Sequence, residues 1–259
     1  MLEGKNLVKS SSGRKIIDNI NIELEPGEIN VIIGPSGAGK TTLLKLLALL
    51  EKPDSGSIVI DDKPCIYPAQ SSETPPWPTV TVVFQQLFLW PHLTLLDNIK
   101  LPHQLRNKHD QKIERRTSSD ISDKTNEEPE QRRLEDLIEL FDMKDFVNRY
   151  PNEASLGQRQ RAALVRALIL QPRYLLLDEI TSSLDVEQIA IILSYLKRLS
   201  KKGIGILIIT HLLNFAREAA DKVIFVDSGQ IIESGGREVL DSPKHERVKK
   251  FLSVIESAS

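Results

Sequence analysis

The sequence predicts an α/β fold with a mainly parallel central sheet. Three observations carry that prediction. Strand-like runs alternate with helical patterns along most of the chain. The run "EINVIIG", Glu28 to Gly34, is apolar at consecutive positions, as in a parallel strand covered on both faces. It ends in a glycine loop that opens the helical pattern "TLLKLLALL".

The elements follow in order. "IIDNINIEL", Ile16 to Leu24, alternates: Ile20, Ile22 and Leu24 point one way, Asn19, Asn21 and Glu23 the other. That is a half-buried antiparallel strand, and "GSIVIDD" from Gly56 is a second. The helix after the glycine loop stops before Pro53. "TVTVVF" (Thr79 to Phe84), "YLLLD" (Tyr174 to Asp178), "IGILIIT" (Ile204 to Thr210) and "KVIFVD" (Lys222 to Asp227) are four further strands, with helical patterns between several of them. Residues 103–133 differ, being polar, mixed in charge and almost without apolar side chains. They read as a solvated insertion or as a docking segment for a particular partner. "LEDLIELF" then resumes a helix.

Composition narrows the function classes. The chain has 259 residues, 40% of them hydrophobic and 27% charged, ordinary for a globular protein. A formal net charge of -2 gives no reason to propose nucleic acid as a partner. Cys65 is the only cysteine, so no internal disulfide or cysteine metal cluster is expected, which suits a reducing compartment. The N-terminus has no apolar run followed by a cleavage site, so no secretory signal is expected. The most apolar stretches fall well short of the ~20 residues of a membrane span. A role at a membrane would require another chain.

"GPSGAGKT", Gly34 to Thr41, carries the first chemistry. It fits a phosphate-binding loop, with a strand before it and a helix after it. Gly34, Gly37 and Gly39 let backbone N–H groups turn toward phosphate oxygens, and Pro35, Ser36 and Ala38 complete the loop. The helix N-terminus adds a positive end. Lys40 is expected at the β- and γ-phosphates, Thr41 at Mg²⁺ through its hydroxyl, and Thr42 at the phosphates. "YLLLDEITSSLD" ends an apolar strand in two carboxylates, which are costly to bury without cations. Asp178 is expected to hold the metal and Glu179 to polarise an attacking water. His211 and Gln85 end neighbouring strands, on the edge where α/β sheets bind ligands.

The order of "GPSGAGKTT", "VVFQQ", "SLGQRQR", "LLLDEITSSLD" and "ITH" resembles the ATPase subunit of ABC transporters. The resemblance covers nearly the whole chain. It implies one P-loop NTPase domain over 1–259, with a catalytic core of about residues 1–86 and 155–259 and an antiparallel β lobe near the N-terminus. It also implies an inserted helical lobe over about residues 87–154, holding the polar stretch 103–133. It implies two subunits head to tail, with ATP and Mg²⁺ held between one phosphate loop and the other subunit's signature, here Ser155, Gly157 and Gln158. Carried over, Gln85 is the Q-loop glutamine and a metal ligand, Asp185 the D-loop aspartate and His211 the switch histidine. The implied partners are an integral membrane permease, a second copy of the ATPase and an external solute-binding protein. The implied place is the cytoplasmic face of the membrane.

"FQQLFLWPHLTLLDNI" looks most like uptake systems for polar amino acids, and no regulatory domain of the sugar-importer type is expected after the switch region. A soluble ABC ATPase acting on nucleic acid, ribosomes or protein assembly is the alternative, as is a docking subunit with little turnover.

Two departures from the family stand out. No Phe, Trp or Tyr precedes Tyr67, so the aromatic residue that usually stacks on adenine is missing; Arg14 or Lys15 is left to lie over the base. In the signature, Ala154 and Leu156 replace the usual leucine and glycine. Leu156 brings a Cβ where glycine tolerates unusual dihedrals, so the expectation is a working ATPase with an altered, slowed sandwich, or else a subunit that needs a partner with a better signature.

Overall fold

The computed structural model describes residues 1–65, 77–102, 104, 127–181 and 184–258. The chain divides into two compact units, one formed by Met1–Gln85 with Pro172–Ser259, the other by Gln86–Gln171.

The first unit contains two sheets. Strands β1 (Leu2–Ser11), β2 (Arg14–Leu24), β4 (Ser55–Ile60) and β5 (Lys63–Cys65) form an antiparallel sheet in the order β2-β1-β4-β5. The larger sheet has the order β10-β9-β3-β8-β7-β6, built from β3 (Ile29–Ile33), β6 (Val80–Val83), β7 (Tyr174–Asp178), β8 (Gly205–Ile209), β9 (Lys222–Asp227) and β10 (Gln230–Gly235). Five of these strands run parallel; β10 folds back on β9. Every residue of β3, β7 and β8 is buried, which is why they read as continuous apolar runs. In β2 the expected alternation holds: Ile20, Ile22 and Leu24 are buried while Asn21 and Glu23 are exposed. Helix α1 (Lys40–Leu47) buries Leu43, Leu44, Leu46 and Leu47 in one cluster with Ile32, Leu176 and Leu207 of the sheet. The same unit holds α5 (Val186–Lys201), α6 (Leu213–Ala219), α7 (Glu238–Asp241) and α8 (Glu246–Ala258).

Three strands have no counterpart among the expected elements. β1 lacks a clean alternation because its register shifts between Gly4 and Leu7 and again after it. β5 has only three residues. β10 is a sheet edge with half-exposed residues, joined to β9 by a tight turn. Ser228 and Gly229 both have positive φ, 50° and 77°, the two-residue connection that a hairpin favours.

The second unit contains helix α2 (residues 95–102), α3 (Glu127–Leu140), a 3₁₀ turn at Pro151–Glu153 and α4 (Leu156–Leu168). It extends to Gln171, past the boundary at 154 expected from sequence, because α4 is tied to its neighbours inside this unit. Arg161 donates to the carbonyls of Phe141 and Asp142, each at 3.1 Å, and lies 4.6 Å over the Phe146 ring. Arg166 donates to the carbonyls of Leu87 (2.6 Å) and Phe88 (2.8 Å). Asn98, fully buried, accepts from Trp90 N and donates to the carbonyls of Trp90, Leu93 and Thr94, fixing the loop ahead of α2.

The polar stretch 103–133 lies mostly outside the described residues, but its end does not. Residues 127–133 belong to α3, which therefore begins seven residues before the expected resumption at Leu134. Pro129 falls in the first turn, where its missing N–H costs little. Among the described residues no helix is long and apolar enough to cross a membrane.

Burial lowers the pKa of Arg166, and the two carbonyls it bridges supply hydrogen bonds to its largely desolvated guanidinium. Arg166→Met should lower unfolding stability by about 1.5–3 kcal/mol, the range for hydrogen bonds to a charged group. Chemical denaturation checks this, with Arg166→Lys expected between the two.

Candidate active site

The C-terminal ends of β3, β6, β7 and β8 lie along one edge of the large sheet, and each releases a residue singled out from sequence. β3 runs into the glycine loop, β6 leads to Gln85, β7 to Asp178 and Glu179, and β8 to His211; β7 lies between β6 and β8, so Gln85 and His211 do not end adjacent strands as expected. The loop cannot tolerate side chains at two of its glycines. Gly34 has φ 146°, and a Cβ there would overlap the Val226 carbonyl. Gly39 has φ 99° and abuts the Ile16 carbonyl. Ser36 and Gly37 face solvent, as does Thr41, while Pro35 and Thr42 are half-buried and Ala38 is buried. Lys40, 6% exposed, donates from Nζ to the carbonyls of Gly34 and Pro35, both at 2.8 Å.

Electrostatics at this edge are unbalanced. Burial lowers the Lys40 pKa, against the attraction of Glu179 and Asp178. Burial raises that of Asp178; a hydrogen bond from Thr41 opposes this, and the charge of Glu179 adds to it. Oδ1 of Asp178 is buried without a hydrogen-bond partner. A buried polar atom left unpaired, beside a buried lysine, marks a place shaped for something that supplies charge.

Glu179 follows with φ 52°, a left-handed backbone that costs a non-glycine residue about 1–3 kcal/mol. Its N–H donates to the Ile209 carbonyl at 3.0 Å, and its Oε1 lies 2.9 Å from Nε2 of His211. The carboxylate is thus turned back toward β8 and joined to the histidine. Two threonines not foreseen from sequence support the same corner. Thr181 and Thr210 hydroxyls lie 3.4 Å apart, and Thr210 Oγ1 accepts from Leu212 N, shaping the loop that carries His211. Gln85 is exposed just beyond β6. Asp185 caps helix α5 (Val186–Lys201) by accepting from Gln188 N at 2.8 Å.

The signature residues belong to the second unit. Ser155 caps α4: its Oγ accepts from Gln158 N (3.2 Å), and Gln158 Oε1 accepts from Ser155 N (3.0 Å). Gly157 is buried. Leu156 is the first helical residue and is not among those with positive φ, so the expected backbone strain at that position is absent. The reciprocal cap sets the helix start whatever side chain follows Ser155.

A glycine loop between strand and helix, a buried lysine and a carboxylate–histidine pair at the same sheet edge define a nucleotide-phosphate-binding ATPase core. The ABC transporter family model matches residues 17–182. The arginine transport ATP-binding protein ArtM of Bacillus subtilis (strain 168) is 36% identical over 257 residues, covering 98% of this chain and 100% of that protein. The glutamine transport ATP-binding protein GlnQ of Escherichia coli (strain K12) is 34% identical over 257 residues, with the same coverage of both chains. The dimeric structure of MJ0796, a bacterial ABC transporter cassette, superposes with a TM-score of 0.77 at 29% identity, covering 91% of this chain and 98% of that one. The chain belongs to the ABC transporter family, as one of its ATPase subunits.

The raised pKa of Asp178 has a direct consequence. Its carboxyl binds a proton more tightly folded than unfolded, so ionisation costs stability once pH rises past the ordinary value of 3.8. Asp178→Asn should therefore stabilise the nucleotide-free protein near pH 7, by about 1–3 kcal/mol, while abolishing most ATPase activity. Urea midpoints measured against pH check the sign: the advantage should shrink as pH falls toward 3.8.

Proposed function

We propose that this subunit drives uptake of a polar amino acid, working as a head-to-tail pair of copies on the cytoplasmic face of a membrane permease. An external solute-binding protein would deliver the amino acid to that permease. The arginine and glutamine transport roles in the names of two relatives, each matched over nearly its full length, support the solute class. The dimeric MJ0796 cassette supports the pairing. The observation that carries the catalytic reading is the Glu179–His211 pair beside the phosphate loop.

In this reading Gly34 to Thr42 cradle the phosphates of ATP, and Lys40 turns from the loop carbonyls to the phosphate oxygens. Glu179 accepts a proton from the attacking water, and His211 holds that carboxylate in place. Gln85 approaches the same water. Ser155, Gly157 and Gln158 of one copy close over the ATP of the other, with Asp185 between the copies. Acceptance of the Gln158 N–H uses a lone pair of Ser155 Oγ, not its proton.

The donor set suits Mg²⁺. No group of three His, Cys, Asp or Glu side chains among the described residues could hold a metal alone. The orphaned Asp178 oxygen and the Thr41 hydroxyl, with Gln85, are a fitting partial shell for an ion that also takes phosphate oxygens. Bound there, Mg²⁺ would offset charge on the phosphates. For the base, Lys15 is tied to Asp18 at 2.7 Å, so exposed Arg14 is the cation assigned to lie over adenine.

Phe88 (60% exposed) and Trp90 (53% exposed) give the helical unit an apolar surface, assigned here to the permease. Two measurements test the function. Glu179→Gln should keep ATP binding and lose turnover by about 10²–10⁴-fold, the range for a general base; full activity would remove Glu179 from the chemistry. Trp90→Ala should lose co-purification with a multi-span membrane protein while the soluble subunit still hydrolyses ATP. Unchanged co-purification would place the permease contact elsewhere. Association of the unmodified subunit with ribosomes or nucleic acid, and with no membrane protein, would replace transport by the soluble alternative.

A further inference from the structure

We infer that helix α8 (Glu246–Ala258) sets the ATP affinity of the phosphate loop through the β9–β10 turn, with Arg247 and Asp227 as the positioning pair. The inference rests on the loop at Gly34 to Thr42 being the phosphate site.

The turn meets the loop directly. The Gly229 N–H donates to the Ala38 carbonyl at 3.1 Å, inside the loop. The Val226 carbonyl fills the space that a Cβ on Gly34 would need, where the loop begins. The turn is also pinned from the β2 side. The Asp18 N–H donates to the Gly229 carbonyl at 2.8 Å, and a Cβ on Gly229 would come within 2.6 Å of the Ile16 carbonyl. The loop therefore cannot keep its shape if the turn moves, and only glycine fits at the point of contact.

The turn is held in turn by α8 and the residues leading into it. Asp227, the last residue of β9, is paired with the guanidinium of Arg247 and also accepts from the Ser228 hydroxyl at 3.2 Å. Its side chain is only 13% exposed, and the arginine supplies it with a counter-charge. Glu233 of β10 accepts from the backbone N–H groups of Lys244 and His245, each at 2.9 Å. Those two bonds hold the Glu233 pKa low against its burial. Phe251 of α8 sets its ring edge-on to Phe225 of β9, 5.0 Å between centroids, and Val248 and Leu252 are buried. The chain of contacts runs from α8 through Asp227 to Gly229 and Ala38 without a gap. It bypasses Glu179 and His211.

A loop held in its binding shape binds polyphosphate more tightly than one that must first adopt it, in proportion to the competent fraction. Linkage makes the effect reciprocal: ATP must favour the docked position of α8. Loss of the Arg247–Asp227 pair should thus act on ATP affinity and leave the rate of the filled site alone.

The test uses the full chain and ATP itself. Arg247→Ala should weaken ATP binding by about 2–30-fold, the span of such indirect couplings, with kcat at saturating ATP unchanged. Arg247→Lys should restore most of the affinity, and the reversed pair Asp227→Arg with Arg247→Asp should bind better than either single variant. Amide exchange at Gly229 should slow when ATP binds the unmodified protein and quicken in Arg247→Ala. Should Arg247→Ala fail to fold, Arg247→Lys and Arg247→Gln provide the graded series. Unmodified ATP affinity in Arg247→Ala overturns the inference. So does a loss of kcat and melting temperature in step with affinity, which would mean general loosening. An unmodified protein that binds ATP no better than Lys40→Ala overturns the phosphate-loop reading, and the inference with it.

Discussion

A loop that offers its backbone N–H groups to a ligand cannot use them to hold itself together. Gly34 to Thr41, proposed to meet phosphate, nearly obeys that constraint: within the loop the Ala38 N–H donates to the Pro35 carbonyl at 3.3 Å. Further support reaches the loop carbonyls from elsewhere: Lys40 Nζ serves Gly34 and Pro35, and Gly229 N serves Ala38. The remaining support is steric. Gly34 lies against Val226 and Gly39 against Ile16, so the loop rests on two strands at positions where no side chain fits. β3 in front of it and α1 behind it are anchored in one apolar cluster, which fixes both ends. A flexible glycine segment becomes a rigid cradle because its neighbours leave it a single shape.

The same region carries charge that the protein alone does not balance. Lys40 is buried enough to lose basicity, Asp178 is buried enough to gain a proton more readily, and one Asp178 oxygen has no partner. Glu179 adds a left-handed backbone. Each is unfavourable for an empty site, and each lies within the stretches proposed to meet ATP. Local concessions of this kind are expected where a ligand completes the electrostatics, and the large apolar core offsets them.

Much of this was legible from residue patterns. Buried parallel strands announce themselves by continuous apolar runs, as β3, β7 and β8 do, and the predicted order of strand, glycine loop and helix is the observed one. What escaped notice depends on pairing rather than on pattern. β1 is bulged, β5 is short, and β10 sits at an edge with one face in solvent, so none has a strong period. The extent of the helical unit also escaped, because Arg161 and Arg166 act through carbonyls of residues far away in sequence. At the site, Thr181, Thr210 and Gly229 were missed for the same reason: their importance is a contact, not a motif. Leu156 is the converse. A motif mismatch suggested strain, yet the Ser155–Gln158 cap gives that position an ordinary helical start.

The central strand has a consequence for how the chain is made. β3 hydrogen-bonds to β8 on one side and β9 on the other, both encoded far downstream. A ribosome finishing Ile33 must add about 190 more residues before β9 is complete, which takes roughly 10–40 s at ordinary elongation rates. During that time β1, β2 and β4 can pair, and the segment from Gln86 to Gln171 can collapse as its own unit. The strand destined for the middle of the sheet meanwhile waits with both edges open. Nascent chains of this protein therefore have their longest exposure to chaperones and to mispairing while the helical unit is being synthesised. Truncations ahead of β9 leave β3 with an unpaired edge.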